Sequence, residues 1–276
     1  MNVLKRIKIK KLAALFAALA LLFCVTGCDK LKNDKFGGAR LETVRLTFPE
    51  GSTVAEIAVI LEEGGVCTAE EFRTQANNVD LLSVYGFEIE TPENRAFALE
   101  GYLFPDTYEF YVDEGAEAAI NRFLKNTQKK LNEDILEKCA QTGFSLDEIL
   151  SIAAVIQEET GYVSEMGKVS SVLHNRLASD EYPKLQCDAT VFYLENSVKP
   201  YIGKERYAEL TELYSTYKCE GIPEGPITNP GLEAINAALN PEDTPYYFFI
   251  SDSENIYHYA ETYEEHLELC AQAGLV

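Results

Sequence analysis

The segment from Ser145 to Gly161, SLDEILSIAAVIQEETG, constrains the fold more than any other, because both of its ends carry helix-boundary chemistry. Ser145 followed three residues later by Glu148 is a capping box, and Gly161 offers the left-handed conformation that ends a helix. At about 100° per residue, Ile149, Ile152, Ala153 and Ile156 form one apolar stripe, with Glu159 on its flank and Glu158 pointing nearly the opposite way. Partial burial and the negative end of the helix dipole both disfavour a carboxylate, so Glu159 is expected to titrate higher than Glu158. A glutamic acid kept protonated near neutral pH is a candidate proton donor. Taken alone, the segment is equally that of a helix with an ordinary acid at its half-exposed end.

The N-terminus reads as an export signal. MNVLKRIKIKK carries five basic residues, LAALFAALALLFCV is an unbroken apolar run, and TGC follows. The run is shorter than the roughly 20 residues of a spanning helix. Thr26 and Gly27 directly before Cys28 resemble the bacterial lipoprotein processing site, which makes residues 1–27 a lipoprotein-type signal peptide and Cys28 the lipidated residue. A short uncleaved membrane anchor is the competing expectation. Either way the bulk of the chain is expected outside the cytoplasm, anchored to the outer face of the cytoplasmic membrane, with residues 28–41 as a polar, glycine-containing linker.

Removing residues 1–27 takes five of the 24 basic residues and none of the 45 acidic ones, leaving a formal charge near −26. Such a surface repels nucleic acid, so nucleic-acid binding is set aside. At 46% hydrophobic residues the remainder is able to bury a substantial core. Cys67, Cys139, Cys187, Cys219 and Cys270 remain after Cys24 and Cys28 are accounted for, an odd number that leaves at least one unpaired; the thiols are also suited to be small buried apolar groups. His174, His258 and His266 form no metal motif, and no metal or cofactor is expected.

The patterning predicts an α+β chain. Residues 43–48 alternate as a strand, FPEGST makes a turn, and Val54, Ile57, Ala58 and Leu61 follow at helical spacing; a second short helix starts at Thr68. This order over residues 42–98 resembles a small cell-wall-binding module of the LysM kind, with a generic α+β subdomain as the alternative. Residues 99–276 form the rest, a mixed α+β domain. LEGYLFPDTYEFYV at 99–112 suggests strands flanking a turn, helices are expected near 115–131 and 133–142, and another carries Val169, Val172, Leu173 and Leu177 inward. PYYFFIS and NIYHYA read as a hairpin and ETYEEHLELCAQ as a closing helix.

Polar groups gather in the second half. In KLQCDATVFY, Gln186, Asp188 and Thr190 alternate, and on an extended segment they would face one way and line a groove. Asp188 reads either as a second catalytic carboxylate or as a loop hydrogen-bond acceptor. Asn229 stands just ahead of a helix beginning near Pro230, in the position of a cap. Tyr214 and Tyr217 are placed either to stack on sugar rings or to pack a loop.

Together FPEGSTVAEIA, EGYLFPDTYEF, IAAVIQEETG, SEMGKVSSVLHNRL, LQCDATVFY, YSTYKCEGIPEGPITNPGLEAINAALNP and YYFFIS occur in the order and spacing of the endolytic murein transglycosylases, the MltG or YceG-like family, which the chain resembles over about residues 43–268. The resemblance implies an enzyme that cuts the β-1,4 bond between N-acetylmuramic acid and N-acetylglucosamine inside peptidoglycan glycan strands. It implies 1,6-anhydro ends as product and a limit on strand length during wall synthesis. It carries the catalytic role onto Glu159, makes Gln186, Asp188, Tyr217 and Asn229 substrate-binding or loop-ordering residues, and implies glycan strands, peptidoglycan synthases and the membrane as partners.

There are departures from the family pattern. A lipoprotein-like signal replaces the usual transmembrane anchor, Ser215 replaces the asparagine of YNTY, and LPPGPI reads IPEGPI. Cys187 replaces a small hydroxyl residue; a bridge to Cys219 joining two site loops would account for both unusual cysteines. Two rivals stand beside the transglycosylase reading: a catalytically silent wall-binding lipoprotein, and a muramidase-type hydrolase in which Asp188 activates water.

Overall fold

The computed structural model describes residues 42–275, so the signal segment, Cys28 and the linker lie outside the described residues. From Thr43 onward the chain is one unit with a contiguous apolar core. The opening strand β1 (Thr43–Thr47) pairs antiparallel with β2 (Thr107–Tyr111), Val44 opposite Phe110. The division expected at residues 98 and 99 therefore falls between two strands of one ladder. Of the strands expected across 99–112 only β2 forms. The residues before it are engaged elsewhere, Leu99 donating its N–H to Ala76 O at 2.9 Å and Leu103 donating to the Asn229 side chain at 2.8 Å.

Between the strands run α1 (Val54–Glu63), α2 (Ala69–Gln75) and α3 (Asp80–Val84). Thr53 and Glu56 close a capping box at the start of α1, which buries Val54, Ile57, Ala58 and Leu61, the four residues of the expected stripe. α4 (Ala116–Lys130) lays Phe123 against Phe48 at 4.9 Å and Tyr108 at 4.5 Å between ring centroids, fastening the two-stranded sheet to the helices.

The expected capped helix is α6 (Leu146–Glu159), preceded by α5 (Glu133–Thr142) and followed by α7 (Val163–Leu177). The Ser145–Glu148 capping box is formed. The expectation of a single apolar stripe is corrected: every residue from Ile149 to Ile156 is buried, because α5, α7, α8 (Asp188–Tyr193) and α10 (Leu232–Leu239) pack around the helix. Arg95 pairs with Asp147 in the first turn of α6, and Tyr102 donates to the same carboxylate at 2.9 Å, so the α3–β2 connection is tied to this helix.

Three helices escaped the sequence reading: α3, α8 and the one that follows α8. α8 continues through a π turn at Leu194–Val198 and a 3-10 turn at Lys199–Tyr201, and α9 (Lys204–Tyr214) follows. The C-terminal hairpin β3 (Phe248–Ser251) and β4 (Tyr257–Ala260) pairs Phe248 with Ala260, and α11 (Tyr263–Gln272) packs on it, as the patterning predicts. Among the described residues no single helix is long and apolar enough to cross a membrane.

Candidate active site

The last turn of α6 sends three consecutive polar residues to three different neighbours. Gln157 Oε1 accepts from the Gly231 N–H at 3.0 Å, fixing the loop ahead of α10. Glu158 reaches the turn before α1, where Gly51 comes so close that a Cβ there would lie 2.5 Å from Glu158 Oε1; Gly51 also holds φ +84°. Glu159 accepts the Tyr257 hydroxyl on its backbone carbonyl at 2.8 Å, which anchors the hairpin to the helix end, while its carboxyl enters a cleft. Gly161 does not end the helix. Thr160 does, turning extended at φ −149° while its hydroxyl accepts from Tyr162 N–H at 3.1 Å.

Glu159 sits where two limbs of the cleft meet. The first limb, about 410 Å³, is lined by Arg176, Gln186, Cys187, Asp188, Tyr217 and the β3 strand. The second, about 250 Å³, is lined by Glu56, Glu158, Phe192 and Thr228, and shares Glu159 and Asp188 with the first. Glu159 Oε1 is buried and has no hydrogen-bond partner. Burial pushes its carboxyl up to about 7, against the Ala189 N–H, which favours the anion; the neighbouring Asp188 charge raises it further and the Cys187 thiol opposes.

The contrast expected with Glu158 is corrected. Burial, then the Glu56 charge, push Glu158 up to about 7 as well, opposed by the Thr228 hydroxyl. Glu158 keeps more surface in water than Glu159, so its shift is the more strongly screened of the two.

Gln186 and Asp188 do not alternate on an extended strand. Gln186 holds φ +56°, rare outside glycine, and Asp188 begins α8, turning Thr190 into the core. The kink is held from two sides. Gln186 N–H donates to Thr216 O at 3.1 Å and Cys187 N–H to Thr216 Oγ1 at 2.9 Å, while Arg176 Nη1 donates to Gln186 Oε1 at 3.0 Å. Both Gln186 and Asp188 remain exposed in the first limb. Tyr217 donates to Asp188 Oδ1 at 2.7 Å beside them, whereas Tyr214 is fully buried and packs. The structure thus brings Glu159, Gln186, Asp188 and Tyr217 together.

Asn229 stands apart from them. It is fully buried, with Oδ1 accepting from Leu103 N–H at 2.8 Å and Nδ2 donating to Ser52 O and to Glu100 Oε1, both at 2.9 Å. The cap ahead of α10 is Gly231 instead. Glu100 is itself buried, its carboxyl pushed well up by that burial while it accepts from the Val54 N–H at 2.9 Å. Asn229 therefore orders the site's loops and has no surface with which to touch a ligand. Asn229→Ala is expected to destabilise the fold by about 3 kcal/mol in urea denaturation, because one donor, the Leu103 N–H, and two acceptors, Ser52 O and Glu100 Oε1, lose a partner in the core. Unchanged stability with weakened strand binding would return Asn229 to the ligand-binding role.

Arg176, from the HNRL end of α7, also belongs to the site. Nearly buried, it donates from Nε to Tyr247 O at 2.6 Å and from Nη1 to Lys184 O at 2.8 Å, and lies over the Phe248 ring at 4.7 Å. Asn175 Nδ2 donates to Thr244 O and Tyr246 O, both at 2.8 Å. The pair clamps the approach to β3 against the 184–186 loop, the two walls of the first limb. Its only sequence signal was a polar pair interrupting the inward face of α7. The Cys187–Cys219 bridge is not formed: all five cysteines among the described residues are free thiols, with Cys187 buried at the cleft wall and its thiol pushed well up by burial. Among those residues no group of three or more His, Cys, Asp or Glu is placed to hold a metal ion.

The sequence model of the YceG-like family matches residues 27–272. The chain belongs to this family. Among YceG-like relatives, a protein of Bacillus subtilis (strain 168) named endolytic murein transglycosylase is 29% identical over 237 residues, which make up 83% of this chain and 65% of the relative. One of the same name from Streptococcus pneumoniae (serotype 2, strain D39) is 27% identical over 239 residues, 80% of this chain and 43% of the relative. This chain thus spans less than two thirds of either relative. The crystal structure of a yceG-like protein from Listeria monocytogenes superposes with a TM-score of 0.71 at 28% identity, covering 87% of this chain and 80% of that one. The mixed α/β architecture is consistent with the YceG-like fold.

Proposed function

We propose that the chain is an endolytic lytic transglycosylase of peptidoglycan, with Glu159 as its one catalytic acid. The observation that carries this reading is the unpartnered carboxyl oxygen of Glu159, buried at the junction of two open limbs. A glycan strand lying through both limbs presents an internal glycosidic oxygen to that carboxyl, which is the geometry of cutting within a strand. Phe192, exposed at the rim of the second limb, and Tyr217 in the first supply flat apolar faces for sugar rings on either side.

In the first step the Glu159 carboxyl gives its proton to the oxygen bridging N-acetylmuramic acid to N-acetylglucosamine. The C1–O bond breaks and positive charge spreads over the muramoyl ring. In the second, the muramoyl 6-hydroxyl bonds to C1 and returns a proton to the Glu159 carboxylate. A 1,6-anhydro end forms, no water is consumed, and the acid is restored. Asp188, already accepting from Tyr217, orients that wall of the site and need not act as nucleophile or base.

The family names of the relatives support the same chemistry, although they belong to longer proteins. Digestion of purified peptidoglycan, read by mass spectrometry, is expected to release anhydro-ended muropeptides. New reducing ends without the anhydro ring would make water the nucleophile and Asp188 its base; binding without release would make the chain a silent wall-binding protein.

The acid must begin protonated, and its ordinary range is raised to about 7. The turnover rate is therefore expected to be level below pH 6 and to fall about tenfold per unit above pH 8, measured on strands of defined length. A rate that climbs with pH would refute a proton donor at this position.

The wider setting belongs to the same reading. The reading of the first unit as a LysM-like module rests on β1, α1, α2 and β2, with α3 added between α2 and a second strand that lies beyond residue 98. Cys28 anchors the chain at the outer face of the cytoplasmic membrane, where cutting new strands limits their length and brings the enzyme beside the synthases that make them.

A further inference from the structure

Two arginines among the described residues are buried, and their charges are answered differently. Arg95, 7% exposed, pairs with Asp147. Arg176, 5% exposed, forms no ion pair with any described carboxylate, although the chain carries 45 acidic residues against 24 basic ones. Its fork is held by neutral groups alone: Nε donates to Tyr247 O at 2.6 Å, and Nη1 to Lys184 O at 2.8 Å and Gln186 Oε1 at 3.0 Å. The Phe248 ring, 4.7 Å away, attracts the charge without neutralising it. A guanidinium stays protonated throughout the physiological range, so the charge is permanent. Arginine is almost never fully buried unless paired, because a charge taken out of water is costly to leave without an opposite one.

The third nitrogen gives that charge a direction. Nη2 donates to no atom among the described residues, yet it is not sealed from solvent as Arg95 Nε is, and Arg176 lines the first limb of the cleft. Glu159 and Asp188 stand at the junction shared with the second limb, whereas Arg176 borders the first limb only. Burial lowers the affinity of Arg176 for its proton, opposed by Cys187, Tyr182 and Tyr217, with no carboxylate among the groups that oppose it. Burial acts on Arg95 in the same sense, but there Asp147 carries the net shift upward. An anion entering the first limb therefore meets an open N–H donor bearing a charge that no residue of the protein answers. With Nε and Nη1 committed, the contact left is end-on, to one oxygen of a carboxylate.

We propose that Arg176 is the carboxylate-recognition residue of the cleft, its Nη2 donating to a carboxylate on the lactyl arm of a muramoyl residue in the strand whose scissile oxygen meets Glu159. The inference rests on the transglycosylase reading and adds a substrate preference to it. The sugar rings of the strand are uncharged, and the lactyl arm is where the polymer bears carboxylates. Two sources share that chemistry: the lactyl carboxylate itself, free once a stem peptide has been removed, and a carboxylate of a stem peptide still attached. A sugar hydroxyl satisfies the N–H but leaves the charge unanswered, so a carboxylate is the group selected. Arg176 thereby acts as a specificity-determining residue through Nη2, while Nε and Nη1 hold the walls of the limb.

The test titrates the full chain carrying Glu159→Gln, so that strands stay uncut, by calorimetry at pH 7 and low salt with two matched pairs of peptidoglycan glycan oligomers. In the first pair the stem peptides are removed and the lactyl carboxylates are either free or converted to methylamides. In the second the stem peptides are present and their carboxylates are either free or converted to amides. The free-acid member of at least one pair is expected to bind about tenfold more tightly, with the pair that shows it naming the source. The preference is expected to shrink below about twofold in Arg176→Met shown to be folded by circular dichroism, to survive in part in Arg176→Lys, and to weaken at high salt. A second measurement keeps the arginine: in NMR spectra the side-chain nitrogen resonance of Arg176 is expected to move when the free acid is added and to stay when the amide is added. Equal affinity within both pairs, a preference undiminished in folded Arg176→Met, or a resonance that responds alike to acid and amide overturns the inference. Strand cleavage by the unmodified chain, read in parallel, separates the failures: cleavage without carboxylate preference sinks the subsite alone, and carboxylate preference without cleavage of any strand sinks the role of Glu159.

Discussion

Glu159→Gln is expected to lower strand cleavage by at least ~10³-fold, since the amide keeps the shape of the side chain and cannot give up a proton. The same substitution is expected to stabilise the protein at pH 8. The Glu159 carboxyl is raised from 4.5 to about 7 in the fold. An acid whose affinity for protons is higher folded than unfolded contributes fully below about 4.5, and that contribution is lost as pH rises through about 7. Above pH 7 the fold bears a buried charge with an unpartnered oxygen, and removing it returns up to ~3 kcal/mol. Thermal melts of the two proteins should therefore diverge between pH 5 and 8 and converge below pH 4.5. Retained cleavage in the variant would dismiss Glu159 as the acid, and melts that differ equally at every pH would dismiss its buried ionisation as the cause. Loss of activity together with gain of stability is the signature of a site held against its own folding preference.

Arg176→Ala is expected to be nearly as damaging by a different route. Its guanidinium joins Tyr247 O, Lys184 O and Gln186 Oε1, and among the described residues no other side chain hydrogen-bonds to both walls in this way. Truncation strands part-buried carbonyl groups and opens a space under Phe248, at a cost of about 2–4 kcal/mol in chemical denaturation. At a temperature where the variant is fully folded, cleavage should still fall about 10²-fold, because β3 and the Gln186 kink lose their common reference. Arg176→Lys keeps the charge but not the fork, and should recover stability more than activity. If Arg176→Ala lowers stability alone, with kcat and KM unmoved, the clamp does not position the site.

The helix that carries Glu159 was legible because its signals are local. A capping box is encoded within four residues, and the apolar spacing of Ile149, Ile152, Ala153 and Ile156 within two turns. The same applies to α1, to the β3–β4 hairpin and to α11. The segment 186–190 was misread because apolar alternation and a short helix after a kink look alike over five residues. What decides between them is Thr216, about 30 residues later, which holds the backbone on either side of Cys187. Asn229 was misplaced for a related reason: an asparagine before a helix resembles a cap, and only the arrival of Leu103, Ser52 and Glu100 around it turns it into a buried junction.

The two adjacent glutamates draw the boundary most sharply. The amino-acid sequence by itself determined that a helix would end at a pair of acids and, through the family resemblance of the ordered motifs beyond it, which of them to propose as the acid. Only the tertiary structure decided that Glu158 is held in the same cleft, crowded by Gly51 from a turn about 100 residues earlier and faced by Glu56 and Thr228. The physical reason is that helix periodicity fixes the direction of a side chain. Its ionisation depends on the burial and the charges that distant segments bring beside it.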